Sequence, residues 1–157
     1  MADLARDILR VQIDAPGVTI RVLDPAAQFY VTGTAQTPNS IADIDPYSLW
    51  LAPGRSLVVY ENQRGTPHGA FVSDVTDGLT LIEFFGPRAG EIVSLSTTLD
   101  PTSTVLAPSR CAQTLFGGVK VVLYAYGDGF RLHADRSFAA FLLEWLRKAA
   151  SAIGESP

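Results

Sequence analysis

The stretch from Asp74 to Ala89, DVTDGLTLIEFFGPRA, constrains this chain more than any other. It dictates a turn, a strand and a helix start in direct succession. Asp77-Gly78 stands between two apolar runs, and both residues tolerate positive φ, so the pair predicts a hairpin joining Ala70–Val75 to Leu79–Phe85. Gly86 then ends the strand. Pro87 falls where a first helical residue would, a position whose N–H has no intrahelical partner anyway. Ala89, Ile92, Val93 and Ser96 recur at helical spacing, which predicts a helix ending near Leu99.

The same turn chemistry punctuates the rest of the chain. Val18 to Val22 and Gln28 to Gly33 are predicted strands, separated by a turn at Asp24-Pro25. Residues 34–47 are rich in turn formers and form a connecting loop. Ser48 to Leu51 and Ser56 to Tyr60 flank the turn Ala52-Pro53-Gly54-Arg55. Residues 61–69 are a polar loop and 100–109 a second one. Cys111 to Phe116 turns at Gly117-Gly118 into Val119 to Tyr126, which turns at Gly127-Asp128-Gly129 into Phe130 to His133. Residues 2–9 suit a short helix. The last element is a helix whose stripe runs through Phe138, Phe141, Leu142, Trp145, Leu146 and Ala149. Asp135 or Ser137 suits its cap, and Glu144 and Lys148 form an i,i+4 pair on its wet side. Strands, helix, strands and helix joined by hairpins predict an α+β fold, a mostly antiparallel sheet with helices on one face.

With 157 residues the chain suits one domain, spanning 1–157. Charged residues make up only 18% against 47% hydrophobic. That leaves apolar area to hide, some of it against another protein. The net charge is −4, with no basic cluster, so nucleic acid is not an expected partner. Asp3, Arg6, Asp7 and Arg10 interrupt the apolar N-terminal residues, unlike a secretory signal. No apolar run approaches the ~20 residues that span a bilayer. These features predict a cytoplasmic protein with no membrane partner. A single cysteine, Cys111, excludes an internal disulfide.

Few residues carry an obvious chemistry. Asp74 and Asp77 suit either a carboxylate pair for acid–base work or turns, since aspartate bonds its own backbone two residues on. Gly86-Pro87-Arg88 suits an anion site at a helix N-terminus or a plain helix start. His68 and His133 do not share metal-ligand spacing with each other or with Cys111, so no metal site is expected. Cys111 in a strand reads as a small buried hydrophobe. No Gly-x-Gly-x-x-Gly follows a strand, and the glycine pairs are hairpin turns. No catalytic residue is assigned, and no cofactor-binding residue can be named.

Four blocks in order resemble the gamma subunit of heterotetrameric sarcosine oxidase, a family related to the glycine-cleavage T-protein. The first is Trp50-Leu51-Ala52-Pro53-Gly54-Arg55-Ser56-Leu57-Val58. The second is DVTDGLTLIEFFGPRAGEIV from Asp74. The third is Arg110-Cys111-Ala112-Gln113-Thr114 with Val119 to Leu123. The fourth joins Phe130-Arg131-Leu132 to Arg136-Ser137-Phe138-Ala139, Phe141-Leu142 and Trp145-Leu146. The resemblance covers about residues 18–148.

It implies the folate-binding-domain fold of aminomethyltransferase-like proteins. It also implies partners: a beta subunit holding FAD, FMN at the alpha–beta interface, an alpha subunit binding NAD and tetrahydrofolate, and a delta subunit binding zinc. No cofactor belongs to the gamma chain. Such a complex oxidatively demethylates sarcosine, or a related N-methyl amino acid. It yields glycine, hydrogen peroxide and either formaldehyde or methylene-tetrahydrofolate.

Two departures qualify the resemblance. T-protein-like enzymes carry aspartates in a Gly-Gly-Ile-x-Asp-Asp run, where this chain has Gly117-Gly118-Val119-Lys120-Val121-Val122. Valine neither accepts a proton nor stabilises an iminium charge, which implies no one-carbon transfer here. Relatives also place a helix where this chain has only residues 61–69, so a sheet face is expected to lie open for another subunit. Three function classes follow: a noncatalytic subunit of an oxidoreductase complex, a stand-alone folate-binding module, and an enzyme in its own right. The valines argue against the third.

Overall fold

The computed structural model describes residues 11–155. The helix expected over residues 2–9 lies outside them. The described chain is α+β, and every strand pairing in it is antiparallel. One sheet has six strands, in the order β1-β2-β8-β11-β10-β9. These are β1 (Gln12–Ala15), β2 (Val18–Leu23), β8 (Leu79–Phe85), β9 (Cys111–Phe116), β10 (Val119–Tyr126) and β11 (Gly129–Asp135). The other has five, in the order β4-β5-β6-β3-β7. They are β3 (Ala27–Thr32), β4 (Ile41–Ala42), β5 (Tyr47–Ala52), β6 (Arg55–Tyr60) and β7 (Phe71–Asp74). Helices α1 (Ala89–Ser96) and α2 (Ala139–Gly154) follow β8 and β11, with 3₁₀ turns at Thr104–Leu106 and Arg136–Phe138.

Three layers result. The helices cover one face of the six-stranded sheet, and the second sheet covers the other. Alternation along the strands sorts side chains between these faces. On β8, Ile82 and Phe84 join Ile92, Val93, Leu142 and Leu146 in the helix-side core. Between the sheets Leu49, Leu57, Val59, Leu79 and Tyr124 form a second core. β8 is buried along all but its last residue, as a strand covered on both faces must be.

The second sheet corrects the Asp77-Gly78 expectation. β7 pairs with β3, whereas β8 pairs with β2 and β11. The turn therefore carries the chain from one sheet to the other and makes no hairpin. Neither Asp77 nor Gly78 adopts positive φ, so the hairpin geometry that the pair favours is not used. Val75 instead accepts from the N–H groups of Gly78 and Leu79. Asp24-Pro25 makes a similar crossing between β2 and β3. The other glycine turns are hairpins. At Gly117-Gly118 both φ values are positive, 58° and 86°, as a two-residue type I′ turn requires.

Two further differences concern packing. In α2 the buried face carries Leu142, Leu143, Leu146, Ala149, Ala150 and Ile153. Phe138 and Phe141, placed on the stripe by their spacing, are exposed. The expected open sheet face is also closed. Ala27, Phe29, Val31 and Val58 form a third buried cluster on the outer side of the five-stranded sheet. The loop over residues 61–69 folds across it. A Cβ on Gly65 would strike the Tyr60 ring, and the Arg64 guanidinium lies 5.5 Å from the Phe29 ring centroid. A helix is not needed to cover a face this small.

Candidate functional site

The residues that face each other between the sheets are the chemically distinctive part of this fold. Arg131 and His133 alternate with Phe130, Leu132 and Ala134 on β11. The apolar three turn to the helices and the polar two to the second sheet. Burial there obliges each polar atom to find a partner.

His133 Nδ1 lies 2.7 Å from Gln28 Oε1, and His133 Nε2 lies 2.8 Å from the Tyr124 hydroxyl. Tyr124 and Tyr47 hydroxyls are 2.6 Å apart, and Arg131 Nη1 is 3.4 Å from Tyr47. One arrangement satisfies every donor. Arg131 donates to Tyr47, Tyr47 to Tyr124 and Tyr124 to Nε2, while Nδ1–H donates to Gln28. Arg131 Nε also donates to Glu83 Oε1 at 3.1 Å, and Arg131 is ion-paired with Glu61. Arg21 Nε reaches the other Glu83 oxygen at 2.6 Å. Two arginines and two carboxylates thus balance within one network.

This geometry sets the titration of the group. Burial, and then the Arg131 charge, push His133 down to about 3. Burial pushes Tyr124 well above the usual phenol range and raises Tyr47. His133 is therefore a neutral imidazole with both nitrogens engaged. It has no free lone pair for a substrate proton, and a tyrosine held protonated is no base. The network ties sheet to sheet; it does not present a reacting group.

Toward the β5–β6 turn the sheets part and leave a cleft of about 490 Å3. His133 closes its floor. Leu51, Leu57 and Val122 give it apolar walls, and Tyr30, Arg55, Lys120, Asp135 and Phe138 border it. Asp135 Oδ1 accepts from Ser137 N–H and Oγ, at 2.9 and 2.7 Å, so Asp135 caps the 3₁₀ turn Arg136–Phe138, while α2 itself begins after Phe138 with no side-chain cap. Those bonds lower its pKa. Burial raises the Tyr30 phenol, and the Asp135 charge adds to the shift. Val121 and Val122 both border the cleft, but the Val121 side chain belongs to the helix-side core.

The other candidates resolve into fold chemistry. Asp74 accepts from Thr76 N–H and Oγ1 at 3.0 and 2.5 Å and pairs with Arg64. The Thr76 bonds first, and Arg64 after them, hold it down to about 2. It is a turn aspartate. At Gly86-Pro87-Arg88, Arg88 is the residue before the helix, and its N–H donates to Gly17 O at 3.1 Å. Its guanidinium donates to Glu91 at 2.5 Å and to Ile153 O at 2.7 Å. It is committed to the protein and is not available to an anion. Cys111 is buried, its thiol pushed up to about 11 by that burial. His68 is exposed in the loop after β6, away from the buried His133. Among the described residues no three His, Cys, Asp or Glu converge on a possible metal position, and no helix is long and apolar enough to cross a membrane.

Comparison with known proteins turns on this two-sheet, two-helix arrangement. The fold is that of a chain of heterotetrameric sarcosine oxidase. One similar structure is the enzyme from Corynebacterium sp. U-96 in complex with pyrrole 2-carboxylate, with a TM-score of 0.79 and 19% sequence identity. The match covers 99% of this chain and 95% of that one. Neither a protein-family model nor a curated protein sequence matches.

Glu83, Gln28, Tyr47 and Tyr124, and the cleft residues Tyr30, Arg55 and Lys120, were not singled out from sequence. A signal was present in β11. The period-2 pattern Arg131-Leu132-His133-Ala134 marks a polar face, and only a second sheet makes that face an interior.

Proposed function

We propose that this chain is the noncatalytic gamma-type subunit of a hetero-oligomeric flavoenzyme that oxidatively demethylates sarcosine or a related N-methyl amino acid. The observation that carries this reading is the end-to-end match. The match covers 99% of this chain and 95% of a chain of that heterotetrameric enzyme, which supports a subunit reading. The four sequence blocks, met independently of the structure, support the same family.

The interior supports the absence of chemistry in this chain. Its buried histidine, tyrosines and carboxylates are spent on one another, and its cleft carries valine where related transferases carry aspartate. On this reading FAD, FMN, NAD, tetrahydrofolate and zinc belong to the alpha, beta and delta partners. The test is co-expression with tagged alpha and beta subunits. Stoichiometric recovery of the chain in a complex that releases hydrogen peroxide from sarcosine supports the proposal. Sarcosine oxidation by the chain alone refutes it.

A further inference from the structure

We infer that the mouth of the intersheet cleft is a docking surface for a partner subunit, taking an extended segment that bears a carboxylate side chain. This rests on the subunit reading and adds to it the face of contact and the chemistry of the contacting segment.

Charge is the first observation. Among the described residues, the arginines and lysines that make neither a salt bridge nor a side-chain hydrogen bond are Arg55, Arg110 and Lys120. The rest are held by carboxylates or by carbonyl oxygens. Arg55 and Lys120 both border the cleft. The one carboxylate lining the cleft, Asp135, accepts at Oδ1 from Ser137 and keeps its charge, so the opening carries two cations against one carboxylate. In a chain of net charge −4, two unpaired cations at one opening leave a local positive field that an incoming carboxylate would complement.

Apolar exposure is the second. Phe138 borders the cleft yet is 45% exposed, Phe141 is 49% exposed and Leu115 is 60% exposed. Leu115 shares the cleft face of its sheet with Gln113 and Lys120, while Phe138 and Phe141 stand three residues apart at the entry to the last helix. Phe141 stacks on Trp145 with ring centroids 6.5 Å apart, and Trp145 lies against Gly117 at the turn that follows Leu115 and Phe116. Leu115 pairs with Lys120 across β9 and β10, and β9 is the outermost strand of its sheet. Grouped exposed aromatics rimmed by charge mark an interaction surface.

The two observations together select the occupant. A small molecule within the cleft would touch Phe138 but leave Leu115 and Phe141 in water. A second copy meeting this face about a two-fold axis would bring the Arg55 and Lys120 cations of both copies together. A partner segment that enters the cleft beside Lys120 and Leu115 and continues over Phe138 and Phe141 covers both features.

The test uses the chain co-expressed with tagged alpha and beta subunits. The cleft variants are Arg55→Glu/Lys120→Glu and Leu115→Asp/Phe141→Asp. The control is Leu95→Asp, an exposed leucine on the first helix. All alter exposed side chains. Melting by circular dichroism checks each fold, with Arg55→Gln/Lys120→Gln in reserve if the reversal fails to fold. Wild type and Leu95→Asp are expected to bind alike, and each cleft variant at least about tenfold more weakly, with the wild-type affinity falling as salt rises. Equal capture of wild type and cleft variants overturns the docking assignment and leaves the subunit reading standing. So does a self-dimer broken by the cleft variants. Failure of wild type itself to bind overturns the subunit reading.

Discussion

Replacing Arg131 with methionine tests whether the intersheet network is structural. Arg131 is 6% exposed and Glu83 is 4% exposed. The substitution keeps side-chain bulk but removes the bonds to Glu83 and Glu61, together with the donor to Tyr47. Breaking a buried pair from one side costs about 3–5 kcal/mol, because the other charge stays behind. Glu83 keeps Arg21 at 2.6 Å, whose side chain is 45% exposed, which places the cost near the lower end, about 3 kcal/mol. For a chain of this size that is a fall in Tm of roughly 6–12 °C. Adding Glu83→Leu removes the stranded charge, so the double variant should be no less stable than Arg131→Met alone, with a coupling of about 2 kcal/mol. Urea unfolding followed by the fluorescence of half-buried Trp50 and Trp145 reads all four members of the cycle. A loss below about 1 kcal/mol for Arg131→Met, or strict additivity in the double variant, refutes the reasoning.

Other expectations follow from single sites. His133, near 3 when folded and near 6.5 when free, resists protonation in the fold while the unfolded chain accepts it. Its stabilising contribution is complete above about pH 6.5 and falls by about 1.4 kcal/mol per pH unit below that, down toward its folded value. His133→Gln should flatten the stability curve between about pH 6.5 and pH 4.5, and an unchanged slope contradicts the assignment. Gly86 has φ +122°, and a Cβ there would stand 2.5 Å from Gly17 O. Gly86→Ala should therefore lose about 2 kcal/mol or more in urea unfolding, and wild-type stability would show that the junction can shift. Calorimetric titration of folate into the isolated chain should give no micromolar binding, whereas a micromolar signal would favour the folate-module reading.

Local signals carried much of the fold into the sequence. The glycine turns at 117–118 and 127–128 and the Pro53-Gly54 turn specify hairpins by backbone conformation alone, and all three form. The Asp77-Gly78 turn misleads because its preference is weak against tertiary pairing. Both edges of β8 are taken, by β2 and β11, so no edge is left for β7, which pairs with β3 instead. The run LTLIEFF already held the clue, since apolar residues stand at both parities, Leu79, Leu81 and Phe85 on one and Ile82 and Phe84 on the other, which leaves no wet face. On α2, spacing counts Phe138 and Phe141 with the stripe, but Leu143, Ala150 and Ile153 take the buried side. Periodicity fixes a face only to within the width of a side chain or two. The polar network was hidden for a different reason. Gln28, Tyr47, Glu83, Tyr124 and Arg131 are far apart in sequence, and without the second sheet each looks like a solvated strand position. The cleft is similarly nonlocal, because its cations come from β6 and β10.

The central claim is that this chain is a subunit whose chemistry resides in its partners. Parallel purification of the chain alone and of the chain co-expressed with tagged alpha and beta subunits measures it most directly, with visible flavin absorption and sarcosine-dependent hydrogen peroxide release read on both. The account predicts a colourless, inactive chain alone, and a flavin-containing, active complex holding the chain in stoichiometric amount. Flavin or turnover in the isolated chain, or an active complex from which the chain is absent, would contradict it.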